Sequence, residues 1–205
     1  MSRQGERQII SGPAGALEIA LHTPELPTRG IALVAHPHPL HGGTMDNKVV
    51  QTLAKTMVQL GYAVARFNYR GVGASAGQFD DGIGETDDAF AALEFARRTF
   101  GELPVVLAGF SFGCYVQARL YERVREQLTV ERVVFVGPAV ARFSAAGVPA
   151  DTLVIHGEED NVVPLADVFA WARPQQLPIM VFPGSGHFFH GRLVQLQQVI
   201  EASWR

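Results

Sequence analysis

The feature that most constrains this chain is a series of nearly unbroken apolar runs: Ile31 to Ala35, Tyr62 to Tyr69, Pro104 to Ala108, Val130 to Val136, Thr152 to His156 and Ile179 to Phe182. A strand with one wet face alternates apolar and polar residues. A run that does not alternate is buried on both faces, which is the condition of strands in a parallel sheet covered by helices. Helical spacing fills the intervals. Met45 to Leu60 repeats apolar residues at Val49, Val50, Leu53, Met57 and Leu60, with Gly61 as its stop. Glu85 to Thr99, Cys114 to Glu126, Pro164 to Ala172 and Phe189 to Ser203 are the other helices expected, with Glu85, Asp87 and Asp88 placed in a first turn where carboxylates suit the helix dipole. Strand and helix alternate from Ile31 onward, so the chain is expected to be α/β, with a mostly parallel central sheet and helices on both faces. Arg7 to Ser11 and Ala16 to His22, joined by Gly12-Pro13-Ala14-Gly15, read as an antiparallel hairpin at the start of that sheet. At 205 residues, a single domain spanning 1–205 is expected.

One turn stands out. Ala108-Gly109-Phe110-Ser111-Phe112-Gly113 carries G-x-S-x-G between an expected strand and an expected helix. A chain that reverses there in about one residue forces its apex into a strained conformation, with positive φ expected. Residues two before and two after the apex then approach too closely for a Cβ. The serine oxygen is held clear of the backbone at a helix N-terminus, where free N–H groups favour developing negative charge. The alternative is a plain glycine-rich turn, and the rest of the chain decides between them.

A serine hydroxyl is a weak nucleophile until a base takes its proton. In open α/β sheets the site lies beyond the carboxyl ends of the strands, so acids and histidines that follow strands are the candidates. Asp160 follows Thr152 to His156, and His187 follows Ile179 to Phe182. The order Ser111, Asp160, His187 matches a nucleophile–acid–base triad of this architecture. Glu158 and Glu159 are alternative acids. His190 is an alternative base, expected instead to face the closing helix, and His156 is read as a structural histidine. A tetrahedral intermediate needs two N–H donors; Phe112 supplies one and His38 is chosen for the other, since Pro37 and Pro39 cannot donate, with Leu40 in reserve. Leu40, Phe110, Phe188, Phe112 and Phe189 suggest an apolar rim for the substrate.

His36, His38 and His41 have ligand-like spacing, but Pro37 and Pro39 stiffen their loop and no carboxylate partners are evident, so no metal and no cofactor are expected. Gly71-Val72-Gly73-Ala74-Ser75-Ala76-Gly77 lacks a P-loop lysine and reads as a tight turn; Arg70 before it is expected to pair with Asp87 or Asp88. Cys114, the single cysteine, reads as a small buried hydrophobe. A net charge of −3 without a Lys/Arg cluster argues against nucleic acid as the main partner. Residues Met1 to Gln8 show no signal-peptide pattern and no run reaches the length of a membrane span, so a cytoplasmic protein is expected. The gap of about fifteen residues between Val136 and Thr152 is too short for a lid domain, which makes the expected site shallow and open.

Together, His36-Pro37-His38-Pro39-Leu40-His41-Gly42-Gly43, Arg70-Gly71-Val72-Gly73-Ala74-Ser75, Gly109-Phe110-Ser111-Phe112-Gly113, His156-Gly157-Glu158-Glu159-Asp160 and Gly186-His187 resemble the α/β-hydrolase superfamily from Ile31 onward. The first of these loops is similar to that of small lidless bacterial serine hydrolases related to dienelactone hydrolases. The resemblance implies carboxylester hydrolysis without a cofactor, through a triad at Ser111, Asp160 and His187. It departs from dienelactone hydrolases, which have cysteine where Ser111 stands, and from the common His-Gly oxyanion loop, here His36-Pro37. The expected activity is cleavage of small esters through an acyl-enzyme. Thioesterase or peptidase action, and a non-catalytic binding protein of the same fold, are the alternatives.

Overall fold

A computed structural model describes residues 5–25, 27–140 and 147–204. Eight strands form one sheet: β1 (Glu6–Gly12), β2 (Gly15–His22), β3 (Gly30–Ala35), β4 (Tyr62–Phe67), β5 (Val105–Phe110), β6 (Val130–Val136), β7 (Leu153–Gly157) and β8 (Ile179–Phe182). Their order across the sheet is β1-β2-β4-β3-β5-β6-β7-β8. From β4 to β8 all neighbours are parallel; β2 joins β4 antiparallel, with Ile19 opposite Phe67 and His22 opposite Val64. The hairpin thus extends the sheet beyond β4, with Leu17, Ile19 and Leu21 of β2 buried in the core on one of its faces. β3, β4 and β5 are buried along their whole length, which is why their sequences do not alternate.

Two apolar cores sandwich the sheet. On one face α2 (Ile83–Phe100) and α3 (Phe112–Val124) pack over Leu33, Phe67, Leu107 and Phe135. On the other α1 (Lys48–Gln59) and α5 (Leu193–Ala202) pack over Val34, Val64, Val106 and Ile155. The remaining helix, α4 (Leu165–Ala172), buries Val168 against Val154 and Val163. No helix among the described residues is long and apolar enough to cross a membrane. β6 ends at Val136 and β7 begins at Leu153; within that connection 141–146 lie outside the described residues, as do residues 1–4 of the N-terminal segment read above.

The helix starts differ from the periodicity by one to four residues, and at α1, α5 and α2 the local reason is clear. α1 begins at Lys48 rather than Met45, because Asn47 caps it, Oδ1 accepting from Val49 N–H at 2.9 Å, and Met45 N–H is taken by Asn68 Oδ1 at 2.8 Å. α5 begins at Leu193 rather than Phe189, because Phe189 and Gly191 adopt left-handed backbone (φ 51° and 72°), which a right-handed helix cannot include. α2 begins at Ile83, where the Glu85 carboxylate folds back to accept from Asp80 and Gly82 N–H. Asp87 and Asp88 lie beyond that first turn and act elsewhere. Asp88 accepts from Arg70 N, Nε and Nη2 at 2.9–3.0 Å, and Asp87 pairs with Arg123.

Candidate active site

Ser111 sits at the junction of β5 and α3 with φ 57° and ψ −118°. Non-glycine residues rarely occupy that region, so the surroundings must enforce it. Ser111 N–H donates to Val136 O at 2.9 Å, and Ser111 O accepts from Cys114 N–H at 3.0 Å. The flanking glycines are required by packing. A Cβ on Gly109 would lie 2.6 Å from the Gly113 carbonyl carbon, and one on Gly113 would lie 2.4 Å from Ala35 O. The second contact refines the expectation: Gly113 is small because α3 presses on the end of β3.

The loops after β7 and β8 bring two further side chains to this end of the sheet. His187 Nε2 lies 3.0 Å from Ser111 Oγ, and His187 Nδ1 lies 2.6 Å from Asp160 Oδ2. Asp160 Oδ1 accepts from Val162 N–H at 2.9 Å and Val163 N–H at 2.8 Å. Burial alone would push the Asp160 carboxyl up, but the His187 hydrogen bond, the two backbone donors and the imidazole charge together hold it below the usual range. The carboxylate thus accepts at both oxygens, and the imidazole that gives it Nδ1–H keeps a lone pair on Nε2 facing the serine.

The alternatives sit elsewhere. Glu158 is exposed and accepts from Gly184 N–H at 2.9 Å, and Glu159 is exposed. His190 is exposed beside the Phe188 ring rather than against α5. His156 is fully buried, with Nε2 2.9 Å from Val163 O and 3.4 Å from Asp160 Oδ2. Cys114 is buried with its thiol directed at Gly109 O, and burial pushes that thiol far above the usual range.

Phe110 needs a correction. It is fully buried, not a rim residue, and its ring stacks 4.9 Å from that of His187. Its side chain points from the last position of β5 toward the α1/α5 face, so it supports the imidazole from beneath. The rings of Phe112 and Phe189 are fully buried too. Leu40 (68% exposed) and Phe188 (44%) remain open at this edge. Gly137, directly after β6, was not singled out by the sequence reading: a Cβ there would approach His187 Cε1 to 3.2 Å, at φ 56°. A glycine at a strand's carboxyl end was the available signal.

The three loop histidines have different surroundings. The His36 ring is fully buried, with Nδ1 2.7 Å from Pro37 O and Nε2 accepting from Tyr69 N–H at 3.2 Å. The His38 ring lies 4.9 Å from that of Phe112, 4.9 Å from Phe79 and 4.8 Å from His41, which brings its loop beside the nucleophile turn. Leu40 N–H donates to His38 Nδ1 at 3.3 Å, so the reserve donor is already engaged. Among the described residues no three His, Cys, Asp or Glu side chains form a cluster able to hold a metal ion.

His36 carries a pH prediction. Burial drives its imidazole down to about 3, against the opposing hydrogen bond to Pro37. It therefore stays neutral when folded, whereas the unfolded histidine takes a proton below about pH 6.5. Its contribution to stability is whole above that value and is lost as pH falls toward the folded value. From about pH 6.5 to about 4.5 the loss is about 2–3 kcal/mol. Urea titrations of wild type and His36→Gln across this range should show the variant losing less stability by that amount. Equal losses would show that His36 is not the group responsible.

Residues 35–145, just over half of the chain, match the family described as "Serine aminopeptidase, S33". The chain belongs to this family of α/β-hydrolases. The matched region contains Ser111 and ends before Asp160 and His187. Uncharacterized protein RP471 of Rickettsia prowazekii is 33% identical over 205 residues, covering 93% of this chain and 85% of its own length. Lysophosphatidylserine lipase ABHD12 of Rattus norvegicus is 29% identical over 162 residues, covering 76% of this chain but only 35% of its own. Among solved structures, an alpha-beta serine hydrolase homologue from Coxiella burnetii shares 38% identity with a TM-score of 0.89, covering 100% of this chain and 99% of that one. A Xanthomonas campestris serine hydrolase described as without a lid shares 35% identity with a TM-score of 0.90, covering 99% and 94%. This α/β-hydrolase thus has the α/β architecture expected of it, one eight-stranded, mostly parallel sheet with helices on both faces.

Proposed function

We propose that this α/β-hydrolase cleaves small carboxylic esters through an acyl-enzyme formed on Ser111. The observation that carries the reading is the continuous relay from Ser111 Oγ through the His187 ring to Asp160, with steps of 3.0 and 2.6 Å. In this reading His187 Nε2 takes the hydroxyl proton as Oγ attacks the ester carbonyl, then returns it to the departing alkoxide. A water attacks the acyl-enzyme by the same path in reverse. Asp160 orients the imidazole and stabilises its charged form without taking the proton. The developing oxyanion is received by Phe112 N–H at the start of α3 and by His38 N–H.

Support for an ester over a peptide comes from the rim. Leu40 and Phe188, exposed apolar side chains at this edge, suit an apolar acyl group. Against this stands the aminopeptidase in the matched family's name, while one of the relatives is named a lysophosphatidylserine lipase. Rates on p-nitrophenyl acetate, butyrate and decanoate, set beside alanine and leucine p-nitroanilides, separate these readings. Short-chain esters should be cleaved with release of p-nitrophenol, the decanoate more slowly, and the anilides not detectably. Faster turnover of the aminoacyl anilides would replace the ester reading by the peptidase one.

A further inference from the structure

A concave site lies on the α1 face of the sheet, where the hairpin extends past the helices on that face. It is a cavity of about 820 Å³ whose lining includes Arg7, His22, Lys48, Thr52, Lys55 and Arg66, and none of Ser111, Asp160 or His187. The composition of that lining is unusual for this chain. The sequence contains only two lysines, against fifteen arginines, and both lysines are here. Lys48, Gln51, Thr52 and Lys55 follow the i, i+3, i+4, i+7 spacing, so they form one stripe along α1. All four line the cavity, facing Arg7 on β1, His22 on β2 and Arg66 on β4.

The charge is not balanced locally. Asp46 is the carboxylate among the lining residues, and its two oxygens are each 2.7 Å from Arg7 Nη2, with Arg66 Nη1 3.4 Å away. No ion pair engages Lys48 or Lys55 among the described residues, and both are exposed. Arg66 is 94% buried by its 6% exposure. Its Nε donates to His22 Nε2 at 3.2 Å and its Nη1 to Met45 O, while Nη2 has no hydrogen bond among the described residues. With Nε2 accepting, the His22 proton sits on Nδ1; burial and the neighbouring Arg66 push this imidazole down to about 4, so the ring adds no positive charge at neutral pH. Four lining cations against Asp46, with Glu18 Oε1 3.3 Å from Arg7 Nη1 as a second carboxylate, leave the groove at about +2, in a protein whose net charge is −3.

We infer that this groove binds an organic phosphate, with the phosphate between the Arg66 guanidinium and the ammonium groups of α1. A guanidinium edge and flexible ammonium groups match a phosphate dianion, which takes several charge-assisted hydrogen bonds at once. The volume falls within the range of small-molecule sites and leaves room for an organic moiety beyond the phosphate. Lys48 and Lys55, separated by about 10 Å along the helix axis, are spaced to bracket such a molecule. The site is independent of the ester reading. It adjoins the loop of residues 36–47 and the start of α5 at Leu193, the segments that follow β3 and His187.

The test is direct binding by the full chain. Glycerol 3-phosphate is titrated calorimetrically, with glycerol and succinate as controls, and phosphatidylcholine vesicles with and without phosphatidate are tested by co-sedimentation. Lys48→Gln/Lys55→Gln replaces two exposed helix residues by another good helix former, so an unchanged thermal melt certifies its fold. The expected result is saturable binding of a phosphate-bearing probe in the millimolar range or tighter, weakened about tenfold or more in the double variant and falling with salt. Binding of glycerol 3-phosphate alone identifies a soluble phosphate ester as the source, and sedimentation with phosphatidate vesicles alone identifies a lipid headgroup. Absence of both, equal binding by the double variant, or succinate binding as well as the phosphate would overturn the inference.

Discussion

With Ser111 changed to alanine, kcat/KM on p-nitrophenyl butyrate is expected to fall by about 10⁴-fold or more, leaving the residue of catalysis that binding and oxyanion donors alone supply. The fold should survive. Ser111 makes its structural contacts through the backbone, N–H to Val136 O and O from Cys114 N–H, and alanine retains both. The positive φ of 57° is strained for alanine as it is for serine, so the substitution removes the hydroxyl without relieving or adding backbone strain. The predicted signature is an unchanged thermal melt and substrate affinity with the chemical step gone. A variant that melts like the wild type and still cleaves the ester at a comparable rate would assign the nucleophile elsewhere.

The second large effect is expected from Asp160→Asn. Three N–H groups converge on this carboxylate: Val162 and Val163 at Oδ1, His187 Nδ1 at Oδ2. An amide has only one acceptor oxygen. If that oxygen keeps the two backbone donors, the amide NH₂ faces Nδ1 and forces its lone pair inward. The imidazole proton then moves to Nε2, where it donates to Ser111 instead of accepting from it. The expected loss in kcat is about 10³–10⁴-fold with little change in KM, the cost of holding the base in the wrong tautomer. Nitrogen NMR of the histidine ring should show the proton transferred from Nδ1 to Nε2. If kcat drops less than tenfold, or the tautomer is unchanged, Asp160 does not set the state of His187.

Much of this geometry was readable in the residues, for identifiable reasons. The parallel strands were legible because burial on both faces removes alternation, as in Ile31 to Ala35. The nucleophile turn was legible because Gly109 and Gly113 are dictated by contacts closer than a Cβ allows. Asp160 and His187 could be located because a sheet of this topology gathers the residues that follow its strands at one edge. The direction of Phe110 was not legible. It ends β5, and a residue adjoining a reversal of the chain belongs to neither period, so only coordinates show it under the imidazole. The start of α5 was hidden for a related reason: Phe189 is apolar and fits the helical spacing, yet its left-handed φ places it in the turn that aims His187. The cationic groove was half visible. Lys48 and Lys55 share a helix face by their spacing, but their opposing wall depends on β2 pairing with β4, a long-range choice that local pattern does not encode.

The most direct test of the proposed chemistry is fluorophosphonate labelling of the folded protein followed by peptide mass spectrometry. One phosphonyl adduct is expected, on the peptide carrying Ser111, formed rapidly in the wild type and suppressed in His187→Ala. Intact folded protein that takes up no label, or an adduct on a different residue that survives loss of His187, would contradict it.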